Sequence, residues 1–99
     1  FENRELSATE AVEWGLATRT VPEGNALESA VTLARGLAKG PTQAFASSRR
    51  MLNASFDNDF ITQTDMETRE IGANMTGVDG QEGLDAFINK RRPTFTGRH

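Results

Sequence analysis

The sequence predicts a mainly α fold, about five helices with at most one short strand. Three observations carry this expectation. Apolar residues recur at spacings of three and four in several stretches, the period of a helix with one buried side. Two tetrapeptides, Ser7-Ala8-Thr9-Glu10 and Asp79-Gly80-Gln81-Glu82, have the pattern of a capping box. Glycine and proline fall mostly between the periodic stretches, where helices stop and start.

In the first box the Ser7 hydroxyl accepts from the third helical N–H, while the Glu10 carboxylate accepts from the Ser7 N–H. Ala8, Ala11, Val12 and Trp14 give that helix an apolar side, and Gly15 supplies the left-handed residue that ends it. Leu16 to Val21 alternates only partly and is closed by Pro22, so a short edge strand is expected there. A solitary strand cannot satisfy its own backbone groups, so its sheet partner would have to lie outside these residues. From about Asn25 to Lys39, Leu27, Ala30, Val31, Ala34, Leu37 and Ala38 form the stripe of an amphipathic helix. Gly40-Pro41 ends it and opens a third helix, because Gly suits the residue after a helix and Pro the first turn of the next.

The third helix is expected to run to about Asn53, burying Ala44, Phe45, Ser48, Met51 and Leu52. A fourth spans roughly Asp57 to Met75, with Phe60, Ile61, Thr64, Ile71 and Met75 mostly on one side. Gly72 interrupts it. A mid-helix glycine costs ~1 kcal/mol against alanine, so it marks a close helix crossing or an early helix end. Thr76-Gly77-Val78 reads as a loop, and the second capping box opens a last helix from about Gly80 to Arg91 with Leu84, Phe87 and Ile88 as its apolar side. Pro93 forces Arg92 out of helical geometry. The first helix and strand, residues 1–22, read as the end of an α/β layer, and residues 23–99 as a helical appendage.

With 99 residues, 36% hydrophobic and 25% charged, the chain is one small domain or one piece of a larger protein. Such a length buries only ~60–65% of its unfolded surface, so dependence on a partner surface is expected. Cysteine is absent, which excludes a disulfide framework, a cysteine nucleophile and a thiolate metal site. His99 is the only histidine, and one terminal imidazole builds neither a zinc motif nor a triad. No stretch approaches ~20 apolar residues, and Phe1 to Glu5 carry no signal pattern, so the expectation is a cytoplasmic protein with no membrane partner. Net charge is −3, yet Lys90, Arg91, Arg92 and Arg98 cluster in the last ten residues with no acid among them. The acidic remainder disfavours nucleic acid, while a local anionic ligand fits the basic end.

Most candidate chemistry has a plain structural explanation. Glu10 with Glu13 and Glu67 with Glu70 are carboxylate pairs three apart, but capping accounts for Glu10 and a solvated helix surface for Glu67 and Glu70. Ser47 and Ser48 have no base placed by sequence and read as small residues at a helix crossing. Gly77, Gly80 and Gly83 match no phosphate-loop fingerprint, and turn and capping duty explains the first two. Phe87 and Lys90 stand out. Their spacing sets an aromatic face beside an ammonium at a helix end, where the ring could stack on adenine and Lys90, helped by Arg91 or Arg92, neutralise phosphate. A second reading fits equally: Phe87 as core with Leu84, and the cations as partners of the helix dipole.

Beyond these local patterns, Leu6-Ser7-Ala8, Ala11, Trp14-Gly15-Leu16, Val21-Pro22, Leu37-Ala38 and Gly40-Pro41-Thr42 occur in order. They are followed by Asp79, Glu82-Gly83, Ala86-Phe87, Lys90-Arg91, Pro93, Phe95 and Gly97. This series resembles the C-terminal third of the enoyl-CoA hydratase/isomerase (crotonase) family, from about Leu6 to Gly97. The resemblance implies a parent acting on acyl-CoA thioesters through a two-amide oxyanion hole and carboxylates. The family's catalytic residues lie in an N-terminal spiral core, so none is assigned in this sequence, and the segment is expected to be inactive alone. The resemblance implies that residues 1–22 end that core and residues 23–99 form a helical oligomerisation subdomain, in a trimer or dimer of trimers. It also implies that Lys90 and Phe87 contact CoA, which is part of the substrate, so that no separate cofactor is needed. Arg49 or Arg50 stands where the family more often has lysine, a substitution that is not neutral where a compact ammonium is required. Trp14-Gly15 and Lys90 to Gly97 look like the phenylacetate-pathway isomerase branch. The alternative is a stand-alone, non-catalytic helical oligomerisation module.

Overall fold

The computed structural model describes residues 2–98; Phe1 and the terminal His99 lie outside the described residues. Among these are five helices: α1 (Ala8–Glu13), α2 (Ala26–Leu37), α3 (Thr42–Ala54), α4 (Phe60–Thr76) and α5 (Val78–Ile88). The chain divides into two compact units, residues 1–33 and 34–99.

In the first unit the capping box forms as its sequence dictates. The Glu10 N–H donates to Ser7 Oγ at 3.2 Å and the Ser7 N–H donates to Glu10 Oε2 at 3.0 Å. Gly15, at φ +75°, closes α1, with the Leu16 N–H reaching the Ala11 carbonyl and the Gly15 N–H that of Val12. That pair of bonds is the Schellman arrangement. The Arg4 guanidinium lies 5.3 Å from the Trp14 ring centroid and 3.1 Å from Glu10, tying the segment before α1 to both of its ends. The expected strand over Leu16 to Val21 does not form; the segment is irregular, and no strand occurs among the described residues. The reason is a ladder's need for a second strand, which these residues do not supply.

In the second unit α3 packs on α4 and α4 on α5. Its centre is small and largely polar. Among the described residues Ala86 is the buried apolar side chain, 1% exposed, accompanied by Ser47 and Asp79 at 3% and 5%. Ser47, rather than Ser48, faces α4, where its hydroxyl accepts from Asn74 Nδ2 at 2.7 Å and Arg50 Nη2 at 3.0 Å. Arg50 also forks onto Glu70 at 3.2 and 2.7 Å, and this guanidinium holds the Glu70 carboxyl below its ordinary pKa. Glu70 is thus a half-buried α3–α4 tie and not the solvated surface residue expected.

Three boundaries correct the sequence reading. Asp59 caps α4 by accepting from the Thr62 N–H at 2.7 Å, so the helix starts three residues later than expected. The loop before α5 shrinks to Gly77, and α5 begins at Val78, which places Asp79 inside the helix and leaves it no capping role. At its far end α5 stops at Ile88, three residues short of Arg91. Gly72 neither ends α4 nor meets a neighbour, since a Cβ built there has nothing within 4 Å. The close crossing is at Gly80 instead. A Cβ there would collide with the Asn74 carbonyl oxygen and sit 2.9 Å from the Met75 Cα. Gly72→Ala is therefore expected to stabilise this 99-residue chain by roughly 1 kcal/mol in urea unfolding, because alanine gains helix propensity at no steric cost. A loss of stability would show that the face is covered.

The apolar stripes that predicted the helices are mostly uncovered. Leu27 and Leu37 on α2, Leu52 on α3, Phe60 and Ile61 on α4, and Phe87 and Ile88 on α5 are all exposed. Periodicity identified the helices correctly, but this chain does not bury their faces.

Candidate functional site

The site candidates fall on the last turn of α5 and the tail that follows. Asn89 caps the helix, the Lys90 N–H donates to the Phe87 carbonyl at 3.3 Å and the Arg91 N–H to the Ala86 carbonyl at 3.0 Å. This is again a Schellman ending, but the left-handed position usually held by glycine is held by Lys90, at φ +50°. A side chain at positive φ costs on the order of 1 kcal/mol or more and persists where its surroundings fix it. Phe87, one turn earlier, is 83% exposed. Its reading as a core residue beside Leu84 therefore fails within this chain, and its ring is open to stacking.

Around this turn the structure builds a clamp. Arg91 donates Nη1 to Glu82 Oε1 at 2.7 Å, Nη2 to Glu82 Oε2 at 2.7 Å and Nη2 to Asp85 Oδ2 at 2.6 Å. Glu82 Oε1 also accepts from the Thr94 N–H at 2.7 Å. The fork from Arg91, followed by the Thr94 amide, pulls the Glu82 carboxyl from 4.5 down to about 2, and the two carboxylates raise the Arg91 pKa. Further along, Asp79 accepts from the Thr96 N–H at 2.7 Å, the Thr96 hydroxyl at 3.1 Å and the Gly97 N–H at 2.8 Å. Those amides, Thr96 first, keep its carboxyl ionised below the usual range. Gln43 Nε2 donates to the Gly97 carbonyl at 2.8 Å, fastening the tail to α3, and Phe95 lies against Gly83.

Arg91 is thus engaged inside the clamp by Glu82 and Asp85. Among the described residues Lys90 and Arg92 make no ion pair. The Asp79, Glu82 and Arg91 roles were missed by sequence reasoning because capping already explained the acids. The signal available was two acids three apart on one helix face, followed by an arginine within reach. A cleft of about 130 Å³ lined by Pro41, Ala44, Met75, Asp79, Gly80 and Arg98 lies elsewhere in this unit. It is too small for a nucleotide, since ligand pockets run to ~300 Å³ and above. An exposed ring and a free ammonium at one helix end suit an aromatic base carrying phosphate, held at a surface and not in a pocket.

The profile described as Enoyl-CoA hydratase/isomerase matches residues 2–98, and the chain belongs to that family. The 1,2-epoxyphenylacetyl-CoA isomerase of Escherichia coli (strain K12) is 35% identical over 95% of this chain and 36% of its own length. The mitochondrial enoyl-CoA hydratase domain-containing protein 3 of Rattus norvegicus is 32% identical over 97% of this chain and 32% of its own. In the crystal structure of an enoyl-CoA hydratase from Bacillus anthracis, 37% of the chain superposes on 96% of this one with a TM-score of 0.82 at 30% identity. The chain spans about a third of the length of the curated relatives it matches.

Proposed function

We propose that this chain is the C-terminal part of an enzyme acting on acyl-CoA thioesters, and that it supplies Lys90 and Phe87 to the CoA moiety and helical faces to subunit assembly. The observation that carries the reading is Lys90 in the left-handed position at the end of α5, where glycine would be cheaper, three residues after an exposed Phe87. A strained cation and an open aromatic ring at the same helix end are accounted for by a ligand carrying both a base and phosphate. Proton transfer at the acyl group belongs, in this reading, to residues outside the chain, and these 99 residues alone do not turn over substrate. No cofactor separate from the CoA ester is invoked, and the setting is cytoplasmic. The uncovered faces of α2, α4 and α5 support association with the enzyme's core, residues 1–22 ending that core, and with further copies in a trimer or dimer of trimers. No helix among the described residues is long and apolar enough to cross a membrane.

Lys90→Ala and Lys90→Gly in the full-length protein test the reading. Both are expected to weaken CoA binding about tenfold, the worth of one charge-assisted contact, with kcat little changed. Lys90→Gly should at the same time raise the melting temperature, because it removes the strain. An unchanged dissociation constant in both variants would refute the role of Lys90.

A second reading concerns subtype. Likeness to 1,2-epoxyphenylacetyl-CoA isomerase, at 35% identity, supports an isomerase of the phenylacetate pathway, while a probable enoyl-CoA hydratase of Rhodobacter capsulatus is as similar, at 36%. Crotonyl-CoA hydration by the full-length protein at a rate typical of enzymes would decide against the isomerase.

A further inference from the structure

We infer that Arg91 and Glu82 are positioning residues for the proposed CoA contact: their fork fixes the turn that holds Lys90 left-handed and so presets where its ammonium stands. The inference rests on the reading of Lys90 as a CoA ligand. Its grounds are the placement of the restraints. On one side of Lys90, Asn89 donates Nδ2 to the Asp85 carbonyl at 3.0 Å and to Asp85 Oδ1 at 2.9 Å. On the other, Arg91 is held at both terminal guanidinium nitrogens by Glu82 and Asp85. Beyond Pro93, the Thr94 N–H returns to the same Glu82 oxygen that Arg91 Nη1 uses. One carboxylate therefore grips the chain one residue and four residues past Lys90, and the left-handed residue sits between fixed points. A strained conformation lasts only where its neighbours over-determine it, and here they do. The fork also keeps the Arg91 charge occupied, leaving Lys90 and Arg92 as the cations without an ion pair at this turn among the described residues.

Glu82→Gln gives the sharpest test, because two explanations differ in sign. Simple charge steering says that removing an acid near Lys90 tightens binding of an anion. Positioning says that it loosens the fork and weakens binding. The measurement is calorimetric titration of the full-length protein with CoA, for wild type, Glu82→Gln, Arg91→Lys, Lys90→Ala and Lys90→Ala combined with Glu82→Gln. The expected result is a loss of about threefold or more for Glu82→Gln and for Arg91→Lys, which keeps the charge but not the planar fork. No further loss is expected from Glu82→Gln once Lys90 is alanine, since there is then no ammonium to place. Unchanged or tighter binding by Glu82→Gln, or an equal loss in the Lys90→Ala background, overturns the positioning role while Lys90→Ala still reports on the ligand reading. Unchanged binding by Lys90→Ala, or no binding by the wild type, overturns both. Should Arg91→Lys fail to fold, Glu82→Gln alone decides, with a thermal melt confirming an intact protein.

Discussion

Gly80→Ala is expected to destabilise the second unit by roughly 3 kcal/mol or more, the upper end of overpacking effects. Helix propensity predicts the opposite sign, since alanine gains ~1 kcal/mol over glycine inside a helix. The steric term wins because the added methyl would meet backbone, the Asn74 carbonyl oxygen and, at 2.9 Å, the Met75 Cα, and backbone cannot rotate aside as a side-chain tip can. Relief requires α5 to move off α4, which also disturbs Asp79, the residue before Gly80, and with it the tail. Urea unfolding measures the effect, and Gly72→Ala is the control with the opposite sign. Equal stability of Gly80→Ala and wild type would show that the α4–α5 crossing is looser than this geometry.

Asp79→Ala is expected to free the tail. Its carboxylate accepts three hydrogen bonds from Thr96 and Gly97, and the substitution leaves those donors to water. Amide exchange at Thr96 and Gly97 should accelerate by about tenfold or more, read by hydrogen-exchange mass spectrometry or NMR. Exchange as slow as in the wild type would show that Gln43 and Phe95 suffice to hold the tail. The same contacts predict acid sensitivity. The carboxyls of Asp79 and Glu82 both titrate below their ordinary values in the folded chain, so they bind protons more readily when it unfolds. Their contribution to stability is complete above the ordinary carboxylate range and is lost as pH falls through it, for Glu82 from 4.5 toward about 2. The tail should therefore loosen in acid, and Glu82→Gln should flatten that dependence.

Much of the local structure was legible before any fold was known. Ser7 and Glu10 name a capping box and make one, and Gly15 ends α1 in the left-handed conformation its type favours. Gly40-Pro41 separates α2 from α3, although α2 already ends at Leu37 and Pro41 is the N-cap of α3, one residue before its first turn. These outcomes depend on neighbours within four residues. Apart from the ends of α4 and α5, the misreadings involve more distant partners. Leu16 to Val21 has the composition of a strand but no strand to pair with. Asp79 and Glu82 look like a cap, yet their carboxylates go to donors 9 to 18 residues further on. Gly72 and Gly80 are equivalent in a helical pattern, and only the approach of α4 to α5 distinguishes them. Ser47 and Ser48 are adjacent and alike, and the rotation of α3 about its axis decides which one is buried.

The candidate site divides in the same way. Phe87 and Lys90 were picked out by their spacing and their place at a helix end. Sequence could not say whether Phe87 was core or exposed, that Lys90 would take the left-handed position, or that Arg91 would be consumed by Glu82 and Asp85. Family, helical class and most helix boundaries are thus properties of the sequence itself, because capping, periodicity and glycine or proline punctuation act over a single turn. Which acids grip the tail, which glycine admits a neighbouring backbone and which arginine is taken up by an ion-pair fork were decided by tertiary structure, because each depends on a distance between residues well separated in the chain.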